Sequence, residues 1–150
     1  MTSDMNSDPG TYVLVLHSDA SAPAQIGRWG TLNIRPGYYL YVGSAFGPGG
    51  LLARVSRHCR TNKAKRWHVD YLREFTTLTS VWYRYGPARY EHPWAEALAK
   101  MPGMSPVKGF GCSDCGCEAH LFFSAKKPVM AAFARAVQGR IASWSCASAA

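Results

Sequence analysis

The stretch Gly37-Tyr38-Tyr39-Leu40-Tyr41-Val42-Gly43-Ser44-Ala45 narrows the choice of fold more than any other part of the chain. Apolar and aromatic residues fill positions 38 to 42 with glycine at either end, the composition of a short strand entered and left through special backbone turns. Strand alternation places Tyr39 and Tyr41 on one face and Tyr38 and Leu40 on the other. Each tyrosine brings a ring that packs and a hydroxyl that needs a partner. On its own, the stretch reads as the tyrosine-rich centre of a sheet.

Its surroundings supply the rest of that sheet. Residues 10–16, Gly-Thr-Tyr-Val-Leu-Val-Leu, form a continuous apolar run, as expected of a strand buried on both faces. Two short extended pieces are expected within residues 25–34, a turn at Arg35-Pro36-Gly37, and a further strand over residues 76–85. A last strand falls at residues 120–124. Helices are expected over residues 51–60, with Leu51, Leu52, Val55 and Cys59 on the apolar side, and over 91–101, where Pro93 fits only in the first turn. A third opens at Pro128, with Val129, Met130, Phe133, Ala134 and Val137 at core spacing. One domain spans residues 10–142, behind a disordered lead (1–9) and ahead of a frayed tail (143–150).

Charge narrows the partner. The chain has 150 residues, 17 Lys and Arg against 9 Asp and Glu, and a net charge of +8. That balance favours a polyanion, nucleic acid before membrane. The polar first residues lack a signal peptide's apolar core, which points to the cytoplasm. The basic residues cluster after a glycine-rich loop, Phe46-Gly47-Pro48-Gly49-Gly50. Such a loop ahead of a helix can cradle phosphate, although no Gly-Lys-Ser/Thr ending marks a P-loop. Arg54 and His58 lie one helical turn apart. Arg57, Arg60, Lys63, Lys65 and Arg66 continue the cluster, either as a solvated face or as a phosphate-binding one. His68 and Asp70, two apart, read as structural, with the carboxylate fixing the imidazole tautomer.

Five cysteines, three of them within residues 112–117, point to metal or redox chemistry over a disulfide framework. Cys115, Cys117 and His120 are closely spaced soft ligands in a Cys/His cluster at 112–120. Reduced thiols in a turn are the alternative.

With the strands placed, Gly10-Thr11-Tyr12 and Tyr41-Val42-Gly43 stand as the two halves of one signature. The chain resembles the GIY-YIG nuclease superfamily, and looks closest to its small stand-alone Uri-type members. The likeness runs from about residue 10 to 124. It passes through the tyrosine stretch, Gly47-Pro48-Gly49-Gly50-Leu51, Arg54, Arg57-His58 and Trp67-His68-Val69-Asp70-Tyr71-Leu72. It continues in Gly109-Phe110-Gly111, Ser113-Asp114-Cys115 and His120-Leu121-Phe122. This resemblance implies an α+β fold, a three-stranded antiparallel core with an added strand, flanked by helices. It also implies one Mg²⁺ or Mn²⁺ and hydrolysis of phosphodiester bonds, in DNA before RNA.

Carried over by position, Tyr12 and Tyr41 are the signature tyrosines and Arg54 the catalytic arginine. His58 stands where relatives place Tyr or His, and Glu91 where they place the metal-binding glutamate, with Glu96 the fallback. Tyr41, ahead of His58, is expected to deprotonate the attacking water, and Tyr12 to position groups by hydrogen bonding. Gly43 and Ser44 would pass close to the substrate phosphate. Relatives often carry an asparagine after the glutamate helix, whereas residues 63–150 hold none. They also often show Glu-Cys where this chain has Glu91-His92, a Cys-to-His exchange that a zinc ligand tolerates. His92, Cys115, Cys117 and His120 are therefore the expected Zn²⁺ set. The alternatives are a nucleic-acid-binding protein without catalysis, and a zinc-stabilised interaction module.

Overall fold

The computed structural model describes residues 5–60, 64–110 and 119–145. The fold is mixed α+β, and its centre is β1 (Gly10–Ser18). This strand lies between β4 (Gly37–Ala45) and β5 (Thr77–Tyr85), antiparallel to both, with Val13 opposite Val42 on one side and Trp82 on the other. A strand in that place has no solvent face, which explains its unbroken apolar run. Tyr12, Leu14 and Leu16 enter one core, and Val13 and Val15 enter a second on the opposite face.

The first core is covered by α1 (Gly50–Cys59), α2 (His68–Leu72) and a small hairpin of β2 (Ala22–Ile26) and β3 (Gly30–Ile34). The second is covered by α3 (Glu91–Lys100) and α4 (Met130–Ala136), through Trp94, Ala95, Leu98 and Phe133. β4 divides its residues as alternation requires. Tyr39 and the half-buried Tyr41 join the first core, Leu40 and Val42 the second, with Tyr38 packed against it.

The sheet is larger than expected. Among the described residues its six strands run β6 (Ser105–Pro106), β7 (Leu121–Ser124), β4, β1, β5, β8 (Ala142–Trp144). β8 corrects the frayed-tail reading of residues 143–150 at Ser143 and Trp144, while residues 146–150 lie outside the described ones. It pairs with β5, and Trp144 is buried in the first core. The lead is corrected as well. Met5 is buried, and the carbonyls of Asn6 and Asp8 accept hydrogen bonds from Leu52 N (3.1 Å) and Leu51 N (3.0 Å). Those amides belong to the first turn of α1, which has no acceptor of its own for them. Gly50 makes the approach possible, because it sits at φ 57° and a Cβ there would strike the Ser7 and Asp8 carbonyls.

Two apolar assignments also change. Leu52 is 40% exposed, and Val129, 59% exposed, precedes α4 instead of packing in it. Leu52 is not among the buried residues of α1, and the backbone of Val129 is extended ahead of α4. Pro128 likewise lies before the helix and does not open it. Cys59 packs against the first core and is disulfide-bonded, whereas a disulfide was the less favoured reading; the other four cysteines lie outside the described residues. No helix among the described residues is long and apolar enough to cross a membrane.

Candidate functional site

β7 pairs with β4 only from Tyr38 to Tyr41, and the last contact between them is Val42 N to His120 O at 2.9 Å. Past that point no described strand pairs with that edge of β4. A cleft of about 400 Å³ lies along it, lined by Tyr12, Tyr41, Gly43, Ser44, Arg54, His58, Arg66, Trp67, His68, Glu91 and His120. Side chains of the two sheet faces, α1 on one and α3 on the other, meet around this edge.

Tyr12 is buried and its hydroxyl lies 2.8 Å from His58 Nε2. Burial, with Tyr41 and Glu91 adding repulsion, pushes the phenol pKa well above its ordinary value against the opposing effect of Arg54. Tyr12 therefore keeps its proton at neutral pH, and its hydroxyl and Nε2 share a hydrogen bond whose direction is set by the imidazole tautomer. Gly43 stands opposite Tyr12 in the register, and a Cβ there would sit 2.5 Å from the Tyr12 Cζ and hydroxyl. Close approach is thus the reason for glycine, but the group approaching is the Tyr12 ring.

The basic residues divide. Arg54 Nη1 donates to Ser44 O at 3.2 Å, and its guanidinium lies 4.4 Å from the Trp67 ring centroid. Arg57 lies 4.3 Å and Arg66 5.8 Å from the same ring. One indole thus gathers three guanidinium groups by cation–π attraction. Arg57 is also held by both oxygens of the buried Asp70, at 2.9 Å each, and donates to Ala64 O. Asp70 further accepts from Arg66 N (2.8 Å) and Trp67 N (2.9 Å) at the start of α2. This corrects the pairing expected of Asp70 with His68: α2 is helical there and turns the two apart. Burial opposes ionisation of Asp70, but the Arg57 guanidinium and the two amides outweigh it, and the carboxyl is held down at about 2. Among the described residues no carboxylate pairs with Arg54 or Arg66.

Lys65 bonds Glu74 instead of facing the cleft, and Arg60, beyond α1, is not among the lining residues. Lys63 lies outside the described residues. The α1 amides that a phosphate cradle would use are taken by Asn6 and Asp8, so the glycine loop does not present a free helix end.

On the α3 side, Glu91 Oε2 is 3.6 Å from His120 Nδ1, longer than a hydrogen bond. Burial lowers the His120 pKa, with Glu91 opposing and His92 assisting. The His92 and His120 rings stand edge-on at 6.2 Å. Cys115 and Cys117 lie outside the described residues, and among the described ones no three potential ligands group into a metal site. Sequence reasoning missed Trp67 and His68 as cleft residues. It also missed buried Arg73, which donates to the His58 and Cys59 carbonyls (2.9 and 3.3 Å) and fixes the end of α1. The aromatic residue amid five basic ones was the available signal for Trp67.

Residues 11–142 match the family model described as "Domain of unknown function DUF123". The chain belongs to that family. The DUF123 span holds every lining residue of the cleft, from Tyr12 to His120. It excludes the residue 5–10 segment that closes the N-terminal end of α1. Neither the curated proteins nor the solved structures give a significant match to this DUF123 chain.

Proposed function

We propose that this DUF123 protein is a metal-dependent endonuclease of the GIY-YIG type, hydrolysing phosphodiester bonds in DNA. One observation carries the reading. Tyr12, Tyr41, Arg54, His58 and Glu91, scattered over β1, β4, α1 and α3, line a single cleft.

The metal is testable against the residues present. Among the described residues one partly exposed carboxylate, Glu91, faces a polar cleft, and Mg²⁺ characteristically takes one or two carboxylates while keeping several waters and substrate phosphate oxygens. Glu91 therefore fits Mg²⁺ or Mn²⁺. When bound, the ion would polarise the phosphoryl group and stabilise the departing oxygen.

The remaining work falls to the chain. Arg54, anchored by Ser44 O and the Trp67 face, keeps donors free for the phosphoryl oxygens and stabilises the charge that develops there. Tyr41, half-buried and lining the cleft, would act as general base in its phenolate form, taking the proton from attacking water and becoming the neutral phenol. Buried Tyr12 stays protonated and orients His58.

The test is cleavage of duplex, single-stranded, flapped and junction DNA with Mg²⁺ or Mn²⁺, wild type beside Glu91→Ala. Cleavage lost in Glu91→Ala by 10²-fold or more is the expected result. DNA binding without cleavage, unaltered by the substitution, selects a binding protein that retains the fold. No salt-sensitive binding at all selects an interaction module.

A further inference from the structure

A second groove, of about 240 Å³, runs beside the cleft and shares Arg54, Arg66 and Trp67 with it. We propose that this groove is a phosphate subsite, taking the next backbone phosphate and its sugar along the strand whose cleavage was inferred above. The inference rests on the nuclease reading for its ligand, and on the groove's own chemistry for its class.

The floor is made of Gly47, Pro48, Gly50 and Ala53, residues that leave the space open. Against about 30 Å³ for one water, the volume holds several waters and hence a sugar and phosphate. The walls are cationic. Arg57 is neutralised by Asp70, but Arg54 and Arg66 have no carboxylate partner among the described residues. Their charge is retained for an anion, and guanidinium matches phosphate geometry.

Trp67 decides what the groove reads. Arg54 and Arg57 stack within 4.4 Å and 4.3 Å of its ring centroid, so the indole holds guanidinium groups and does not serve as a platform for a base. Backbone contact without base contact positions a strand but carries no sequence information. The subsite therefore extends the footprint of the strand and leaves base preference untouched.

Ala53 offers a clean perturbation. It is exposed on α1 and absent from the cleft lining. Methionine is a good helix former, so Ala53→Met fills the groove at little cost to the helix. Two substrates separate the sites: bis(p-nitrophenyl) phosphate, with one phosphodiester, and a fluorescent single-stranded 12-mer, both with Mn²⁺.

Ala53→Met is expected to raise KM for the 12-mer about tenfold, leaving its kcat and the single diester unchanged. An unchanged 12-mer KM, or equal loss on both substrates, overturns the subsite. Metal-free 12-mer binding, measured by anisotropy across salt, gives an independent arm. Ala53→Met and Arg66→Gln should each lower the salt slope by about 0.7, and an unchanged slope overturns the proposal. Binding without cleavage by wild type removes the nuclease reading, and the slope then decides the subsite alone. If wild type neither cleaves nor binds, both fall.

Discussion

Asp70→Asn isolates the network that fixes the arginine cluster. The substitution keeps shape and one acceptor oxygen, but removes the charge that faces Arg57 and the amides of Arg66 and Trp67. The carboxyl lies at about 2 in the folded protein against an ordinary 3.8. At 1.36 kcal/mol per pH unit this corresponds to about 2 kcal/mol of stability at neutral pH. Because the folded pKa is the depressed one, that stability is fully present above the unfolded value near 4. It is lost as pH falls through the folded value near 2, with roughly half remaining near pH 3. In a domain of this size the neutral-pH loss lowers the melting temperature by about 4–8 °C. Urea unfolding of wild type and Asp70→Asn at pH 7, 5, 4 and 3 reads it directly. The stability gap should be constant from pH 7 to 5 and narrow below pH 4. Equal stability at pH 7, or a gap that persists undiminished at pH 3, would refute the assignment of the network's strength to this carboxylate.

Three further outcomes are expected. Gly43→Ala forces the Tyr12 ring aside and should cost about 1–3 kcal/mol by overpacking, read from urea midpoints; an unchanged midpoint would show that the strands can spread. Thr11→Val should be neutral or stabilising by about 1 kcal/mol, because the buried Thr11 hydroxyl has no hydrogen-bond partner among the described residues; a thermal midpoint lowered by several degrees would reveal one. If the adjoining His92 and His120 belong to a zinc site with Cys115 and Cys117, purified protein should carry one zinc per chain and Cys115→Ser should lose it. Absence of zinc, or zinc unchanged by that substitution, removes the site.

What the sequence made legible is what local periodicity encodes. The alternation of Tyr38, Tyr39, Leu40 and Tyr41 assigned their faces correctly, and the run through β1 announced a strand covered on both sides. α1 and α3 followed from helical spacing and from the place that Pro93 permits. Contacts between distant residues carry no such period. Nothing in the order of residues joins Asp70 to Arg57, or sets Gly43 against Tyr12, because both contacts exist only once β1, β4, α1 and α2 have packed. β8 escaped for another reason. Its Ala-Ser-Trp has one apolar anchor, Trp144, and gains its partner strand entirely from β5. The site was legible where a side chain's identity limits its chemistry, as with Arg54 and Glu91. It was illegible where a neighbour reassigns the side chain, as when Glu74 claims Lys65.

The backbone of Asn6 and Asp8 terminates the helix that carries Arg54 and His58, while Asn6 N is tied to the Tyr85 hydroxyl at 2.8 Å and Pro9 O to Gly86 N at 3.0 Å. The segment thus buckles α1 to the far end of β5. Deleting residues 1–9 would leave the whole DUF123 span intact and still uncap α1, so a domain trimmed to its family boundary should unravel from α1's first turn. Protease sensitivity there, ahead of any global unfolding, would be the mark of that loosened buckle.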